Sequence, residues 1–477
     1  MSCPAAMSRR RFLATTSSAA LSLPLLGCVS RAFLPKFEPK GPASRCEPVV
    51  RACFVRRKGA YGMWWPGAVF DGEAARQHYV ANLRSAAAEL GVKLELAPKP
   101  LFTTAEADQW LAEAKAAKTD GLVVVLLDRH GPAWASAAKA VATGLPTVVV
   151  APVGTAFTTN TADFATKQGC FICATDDFAQ VRYGLKMLKA WAKLRSTRCL
   201  VIKGNKAAEK QTPQLGITFR YIPGRDFIEE YRKTATDAEV EAIADYYIRH
   251  ARHVRGPSRQ DVVNGARSYV AVRKLLERER ADAVTMDCLG LLARKKLSLP
   301  CLAWSKMNDE GVPAACEADL GAAVTHCIVQ YLFDRPGFQQ DPVPETLRGA
   351  IIGAHCTCPT RLRGFAEPPE PFDLIHHHAL RDATARPYWE VGHRVTCADV
   401  SLPGPKRKAR MLISAGRVLE NVAVPPAGGC VVSVMVKFDG VDDVLAYPGF
   451  HQIFFYGDFK RELVRFCRLT GIEAVVV

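Results

Sequence analysis

The sequence predicts an α/β protein in which two parallel-sheet domains precede a C-terminal antiparallel β domain. Near-continuous apolar runs recur up to about Gly349, and amphipathic helical stretches separate them. Strands that are apolar on both faces and alternate with helices are typical of a parallel sheet covered on both sides. Beyond Gly349, prolines become dense and short alternating runs appear, which favours barrel-like antiparallel structure.

The first domain is predicted to span residues 46–175 and to be Rossmann-like. Its pattern begins with the apolar strand 49–55 and continues with a helix over 72–90, which Gly91 ends. Two further strands are expected at 121–127 and 146–151, with a helix at 132–141 between them.

The same pattern restarts in a second α/β domain, predicted over residues 176–348. Asp319 is expected to cap the last helix of this domain. The third domain, residues 349–477, closes with a helix that Gly471 ends. The expected strands are 199–202, 283–286, 301–304, 431–438 and 472–477, and the expected helices are 181–194, 320–332 and 458–469, with a further helical stretch over 226–235.

Length and composition indicate a globular chain of about three domains, since its 477 residues are 49% hydrophobic and 23% charged. The net charge of +16 would suit nucleic acid or an acidic surface. The basic residues are scattered, however, and no aromatic side chains interleave with them. Nucleic-acid binding is therefore not expected.

Residues 1–45 are predicted to be an export signal and linker. Arginines at 9–11 precede Phe12, Leu13 and a short apolar stretch, which resembles a twin-arginine signal and predicts a periplasmic location. The segment ending at Cys28 is similar to a lipoprotein processing box, so simple cleavage and a lipid tether at Cys28 both remain open. The apolar stretch is shorter than the ~20 residues that span a bilayer, and no later segment qualifies.

The chain has sixteen cysteines, and most lie singly inside apolar runs, where a thiol behaves as a small hydrophobe. Cys170-x-x-Cys173 and Cys356-x-Cys358 could each supply half of a zinc or redox site. Each pair alone is a weak signal, so the structural interpretation is favoured.

Residues 308–319 hold four carboxylates between a predicted strand and a predicted helix. Glu317 stands among alanines and Cys316, which would bury it, and a buried carboxylate needs a cation or a proton. Asp341, His355 and His451 follow at wider spacing. Carboxylates combined with imidazoles suit a divalent cation such as manganese.

These segments, taken in order, resemble the L-fucose and L-arabinose isomerases. The resemblance is carried by the motifs Asn308-Asp309-x-Gly311, Ala315-Cys316-Glu317, Asp341, His355-Cys356-x-Cys358-Pro359 and Gly449-x-His451. It implies two Rossmann-like domains, a C-terminal β domain and a homo-oligomer, either a hexamer or a trimer. Glu317 and Asp341 would be the metal-binding carboxylates and His451 a metal ligand, and His355 matches a further histidine of the arabinose branch.

The resemblance implies a metal-dependent aldose–ketose isomerase that acts on a monosaccharide through a cis-enediol(ate), with manganese as the expected ion. Glu317 would be the base, and Asp341 both a ligand and its acid/base partner. The alternative is an exported carbohydrate-binding protein that keeps the fold without catalysis. Of the triplet 376–378, one histidine could line the site and the others are interpreted as surface residues, since adjacent strand residues point to opposite faces. Arg56 and Arg57 are interpreted as a surface pair, with contact to a neighbouring subunit's sugar as the alternative.

Overall fold

Two five-stranded sheets and a closed antiparallel barrel form the core of the fold, which confirms the predicted fold class. The computed structural model describes residues 36–63, 70–293, 297–377, 381–404, 407–423 and 430–477. The proposed export signal, Cys28 and His378 lie outside these ranges, so the predictions about them stay predictions. Residues Lys36–Val477 form one compact unit.

The first sheet is entirely parallel, as near-continuous apolar strands require. Its strand order is β4-β1-β5-β6-β7, and helices cover both faces. Cys170 packs on one face and Cys173 on the other, so the two thiols cannot share a ligand. The elements are β1 (Val49–Val55), the short pair β2 (Gly62–Met63) and β3 (Phe70–Asp71), α1 (Gly72–Leu90), β4 (Lys93–Leu96), α2 (Thr104–Ala116), β5 (Gly121–Leu126), α3 (Gly131–Ala142), β6 (Thr147–Ala151), α4 (Thr158–Thr166) and β7 (Cys170–Ala174).

The second sheet has the order β13-β12-β8-β10-β9, and only its edge strand β9 runs antiparallel. Its elements are α5 (Phe178–Ser196), β8 (Arg198–Ile202), β9 (Ala208–Gln211), β10 (Thr218–Ile222), α6 (Gly224–Lys233), α7 (Ala238–His250), β11 (Val254–Arg255), α8 (Arg259–Glu279), β12 (Ala283–Met286), α9 (Cys301–Asp309), β13 (Ala314–Ala315) and α10 (Leu320–Phe333), of which β11 pairs outside this sheet.

The strand predicted at 301–304 is wrong, because these residues open helix α9. Every residue of this helix except Lys306 is buried. A helix that is enclosed on all sides shows no amphipathic period, so its apolar start cannot be told from a buried strand by pattern. Trp304 fixes the helix against the sheet, because its indole N–H donates to the carbonyl oxygen of Ala315 at 2.6 Å.

The barrel closes in the order β18-β21-β14-β15-β20-β19, with β19 returning to β18. Outside the barrel, β22 adds to β19, and β11, β16 and β17 form a small separate sheet. The elements are β14 (Phe338–Glu345), β15 (Ala350–His355), β16 (Phe372–His377), β17 (Arg381–Pro387), β18 (Arg394–Ser401), β19 (Arg410–Asn421), β20 (Val432–Phe438), β21 (Gln452–Tyr456), α11 (Lys460–Thr470) and β22 (Glu473–Val476).

One continuous apolar core joins the two sheets and the outside of the barrel. The cysteines within the described ranges form no disulfide. None of the helices in those ranges combines the length and the hydropathy needed to cross a membrane.

Candidate metal centre

The four predicted metal ligands come together between the second sheet and the barrel. Glu317 follows the short strand β13, at the carboxyl end of the parallel sheet, where ligand sites of α/β proteins lie. The barrel supplies the others: Asp341 lies within β14, His355 ends β15, and His451 directly precedes β21.

The barrel places its three residues side by side because β14 lies between β15 and β21. Asp341 is paired with Ala354, the residue before His355. On the other side Gln340 is paired with Gln452, and continuing this register sets His451 opposite Asp341. Three neighbouring strands therefore present one carboxylate and two imidazoles at one end of the barrel.

The donor atoms lie within reach of one cation. Ligand atoms of Glu317, His355 and His451 are all within 4.8 Å of one another. The Nε2 atom of His451 is 3.5 Å from Glu317 Oε2 and 3.3 Å from Asp341 Oδ1. Glu317 Oε1 is 3.8 Å from His355 Nε2. Within this cluster, Asp341 therefore lies next to His451.

The backbone is held in an unfavourable conformation at this site. The backbone φ angles of Glu317, Ala318 and His451 are 61°, 55° and 53°. They lie in the left-handed region, which residues other than glycine rarely adopt. Each such residue costs on the order of 1–3 kcal/mol, and such residues cluster at functional sites. The sequence gives no sign of this, because none of the three is a glycine.

Asp319 supports His451 from behind. Its Oδ2 atom is 2.9 Å from His451 Nδ1, while its Oδ1 atom accepts the N–H of Ala322 and so caps helix α10, as predicted. The ring nitrogen that faces Asp319 therefore carries the proton. The other nitrogen, Nε2, points an electron pair at the oxygens of Glu317 and Asp341 unless a second proton or a cation lies between them.

The cluster carries an excess of negative charge. Burial raises the pKa of Glu317, against the influence of His355 and His451. Burial and the nearby Asp319 raise the pKa of Asp399, on the adjacent strand β18, to about 6. Burial alone would lower the pKa of His355, but Cys356, Asp341 and Glu317 outweigh it and raise the pKa to about 9. This field favours a bound cation.

Two observations favour a divalent metal ion at this site: the types of donor atom present and a buried carboxylate oxygen without a hydrogen bond. Two carboxylates and two imidazoles form a set that manganese and similar ions accept. Asp341 Oδ1 is buried and accepts no hydrogen bond from any residue that the structure describes. A buried carboxylate oxygen in this state needs a cation or a proton, and a metal ion among these donors would supply the former.

Two residues of the isomerase-like motif shape the site without entering it. Asn308 exchanges hydrogen bonds with the backbone of Ala314, at 2.8 and 3.2 Å, and so fixes the start of β13. Asp309 accepts the N–H groups of Thr360 and Arg361, at 2.7 and 2.8 Å, and holds the loop after β15. Their role in this chain is to position the segments that carry Glu317 and His355.

Sequence reasoning missed four residues around the site. Asp319 was expected only as a helix cap, and Asp399 gave no signal. Gln339 is buried and accepts the N–H of Cys316 at 2.8 Å, which ties the Glu317 loop to β14. His326 lies fully buried on α10, close enough to His355 that His355 helps to lower the pKa of His326. Nothing in their spacing along the chain points to these contacts.

The remaining candidates lie elsewhere. His376 Nδ1 is 3.1 Å from the carbonyl oxygen of Asp382. The surface interpretation is wrong for His377, which is fully buried in a group with Cys301 and Cys356. The prediction that Cys356 is a purely structural thiol therefore does not account for the buried thiol and imidazole beside it.

The arginine pair was expected at the surface, which is wrong for Arg56, whereas 41% of the Arg57 side chain is exposed. Arg56 is buried and bound to Glu73 at 2.6 Å, and Arg57 is bound to Asp128 at 3.0 Å. Both line a cavity of about 310 Å³ at the carboxyl edge of the first sheet.

Comparisons with known proteins leave the family open. No model of a protein family matches the chain, and no curated protein matches it. Among solved structures, a periplasmic sugar-binding protein of an ABC sugar transporter from Legionella pneumophila is 12% identical, with 60% of this chain and 96% of that chain covered and a TM-score of 0.19. An ABC transporter solute-binding protein from Burkholderia multivorans is 9% identical, with 61% and 95% covered and a TM-score of 0.19. Likenesses this low identify neither a family nor a function.

Proposed function

We propose that this protein is a metal-dependent aldose–ketose isomerase whose centre is formed by Glu317, Asp341, His355 and His451. The observation that carries the proposal is the orientation of His451. Its protonated Nδ1 faces Asp319, and its Nε2 faces two carboxylates that would repel an electron pair. A divalent cation among these atoms removes that conflict.

Accessibility divides the four residues into two roles. The side chains of Glu317 and Asp341 are 31% and 28% exposed, whereas those of His355 and His451 are 2% and 8% exposed. The carboxylates can therefore reach a substrate, while the imidazoles are held inside as ligands. A bound divalent ion would supply polarisation of a sugar carbonyl and charge stabilisation at its oxygens.

The reaction assigned to this site moves a proton between C1 and C2 of an open-chain sugar. Glu317 is the base that takes the proton from carbon, since its side chain is 31% exposed and can reach a bound sugar. Asp341 lies beside His451 and exchanges the proton of the neighbouring hydroxyl. Asp319 keeps His451 in one tautomer throughout.

Hydrogen exchange tests this function directly. The full chain is supplied with manganese and a panel of aldoses in D2O, and deuterium at C2 is followed by NMR. Exchange is expected for at least one sugar, and Glu317→Gln is expected to abolish it while the fold persists. Glu345→Gln, at the end of the same strand as Asp341, is the matched control and should exchange normally.

Two outcomes contradict the proposal. If the wild-type protein binds no divalent ion when manganese is in excess, the centre does not exist. If it binds manganese and a sugar but no hydrogen exchanges with solvent, the chain is a carbohydrate-binding protein that keeps the site without catalysis.

A further inference from the structure

A second group of buried ligand atoms lies directly behind the proposed centre. The sulfur atoms of Cys301 and Cys356 and a ring nitrogen of His377 are all within 4.8 Å of one another. The three residues are 4%, 5% and 0% exposed. They come from the start of α9, the residue after β15 and the end of β16, so the fold alone brings them together.

A fourth donor adjoins this group. The thiol of Cys316, which is 4% exposed, interacts with Cys356, although it lies outside the group of three whose donor atoms are all within 4.8 Å of one another. Three thiols and one imidazole are a donor set that zinc takes in closed, four-coordinate structural sites. We refer to Cys301, Cys316, Cys356 and His377 as the thiol cluster.

The thiol cluster is separate from the first centre because neighbouring residues point in different directions. His355 turns its Nε2 atom toward Glu317, at 3.8 Å. Cys356, the next residue, turns its sulfur toward the other thiols, while that sulfur stays 3.4 Å from His355 Nδ1. The oxygen-rich first centre suits a hard ion, and the sulfur-rich cluster suits a thiophilic one.

A thiol in the same segment shows what a purely structural cysteine looks like here. Cys358 is fully buried and packs in an apolar cluster with Phe338 and Trp389. Cys356, two residues earlier, faces sulfur and nitrogen atoms instead. The two positions differ in surroundings although only one residue separates them.

The backbone around the cluster is already fixed. The carbonyl oxygen of Cys356 accepts the hydroxyl of Thr384 at 2.7 Å, and the N–H of Cys316 is held by Gln339. Cys301 is the first residue of helix α9, so the helix sets its backbone conformation. The donors therefore need little rearrangement to close on a cation.

We propose that the thiol cluster is a second, structural metal site that binds a thiophilic divalent cation of the Zn²⁺ type. Each coordinating thiol releases its proton to solvent as the cation binds, so charge is balanced without any oxidant or reductant. The site locks α9, β15 and β16 together immediately behind the first centre.

Cobalt provides the test, because Co²⁺ bound by thiolates absorbs strongly in the near ultraviolet and Co²⁺ bound only by oxygen and nitrogen does not. The full chain, reduced and freed of metal, is titrated with Co²⁺ and then with Zn²⁺. We expect a thiolate band that saturates at about one equivalent per chain and disappears as zinc displaces the cobalt.

Variants identify which thiols give rise to the thiolate band. Cys356→Ser should remove it, and Cys358→Ser, the matched control, should keep it. Glu317→Gln should also keep it while manganese binding at the first centre is lost, so the failure of one site is distinguished from the failure of the other. If Cys356→Ser does not fold, the wild-type titration still decides.

The proposal is overturned if the reduced wild-type chain shows no thiolate band, or if Cys356→Ser retains the band at full intensity. A disulfide between Cys356 and either Cys301 or Cys316 in protein freshly isolated without reductant would overturn it as well. Peptide mapping under non-reducing conditions detects that bond.

Discussion

Asp319 and His451, 132 residues apart in the chain, meet at 2.9 Å between Oδ2 and Nδ1. The other oxygen of the same carboxylate caps helix α10. Asp319 therefore links the start of helix α10 to the barrel loop that precedes β21. Carboxylates that hold a metal-binding histidine in this way set its tautomer and raise its basicity.

Loss of this contact should weaken metal binding. In Asp319→Ser the hydroxyl still caps α10, but it is too short to hold His451 as well. We expect manganese affinity to fall about 10–100-fold. The free energy of unfolding should fall by about 1–3 kcal/mol, because the buried ring N–H of His451 loses its acceptor. Isothermal titration with Mn²⁺ measures the affinity, and urea denaturation measures the stability.

Asp177→Ser is the control for that experiment. Asp177 caps α5 through the N–H of Ala179 and has no part in the proposed centre. Only the variant at position 319 should lose manganese affinity. Equal affinities in both variants would mean that Asp319 serves only as a cap.

Gln339 should prove essential to the position of the Glu317 loop. In Gln339→Met the shape is nearly kept, but the buried N–H of Cys316 loses its acceptor. An unsatisfied buried donor costs about 1–3 kcal/mol, so the free energy of unfolding should fall by that amount. Urea denaturation of the metal-free chain checks this. Gln77→Met, at an exposed site on α1, should stay within about 0.5 kcal/mol of the wild type.

The left-handed conformation of Ala318 gives a prediction about glycine. At φ 55° an alanine carries about 1–2 kcal/mol of conformational strain that a glycine does not. In Ala318→Gly, relief of this strain offsets the greater entropy of the unfolded chain and the loss of the buried methyl group. Ala323→Gly, inside helix α10, has no such gain and loses about 1 kcal/mol of helix propensity besides its methyl group. We therefore expect the first variant to be more stable than the second by at least about 1 kcal/mol. Comparable urea midpoints for the two would show that Ala318 is not strained.

Much of the fold follows from patterns that act locally. Helix α1 begins and ends at the predicted residues, because the helical period and Gly91, at φ 63°, both define it. The helix that Asp319 caps follows from the same kind of signal. Residues 301–304 show where this fails, since a buried helix and a buried strand share one composition.

The contacts of the site depend on register and therefore could not be predicted. The motifs name Glu317, Asp341, His355 and His451, but only the pairing of β14 with its two neighbours makes the three barrel residues adjacent. His376 and His377 have different surroundings, but a register irregularity lies between them, so the rule that adjacent strand residues face opposite sides does not account for this by itself. It does not say which thiols His377 will meet, because those come from distant segments.

His326 should make the protein sensitive to acid. Burial, reinforced by His355, lowers its pKa from the ordinary 6.5 to about 3. Between these values the unfolded chain binds a proton at this histidine and the folded chain does not. Stability contributed by neutral His326 is therefore complete above pH 6.5 and is lost as the pH falls toward 3, by up to about 1.4 kcal/mol per pH unit.

His326→Met, which has a side chain of similar size and no titratable group, should remove this part of the pH dependence. The comparison uses the free energy of unfolding of the metal-free chain in urea, measured between about pH 4 and 6. Carboxylates elsewhere contribute equally to both proteins, so the difference between the two curves isolates the histidine. His78→Met, at an exposed position on α1, should follow the wild-type curve. If the curve of His326→Met is also parallel to the wild type, the imidazole is already protonated or solvated in the folded protein, and the buried, neutral histidine beside the centre is excluded.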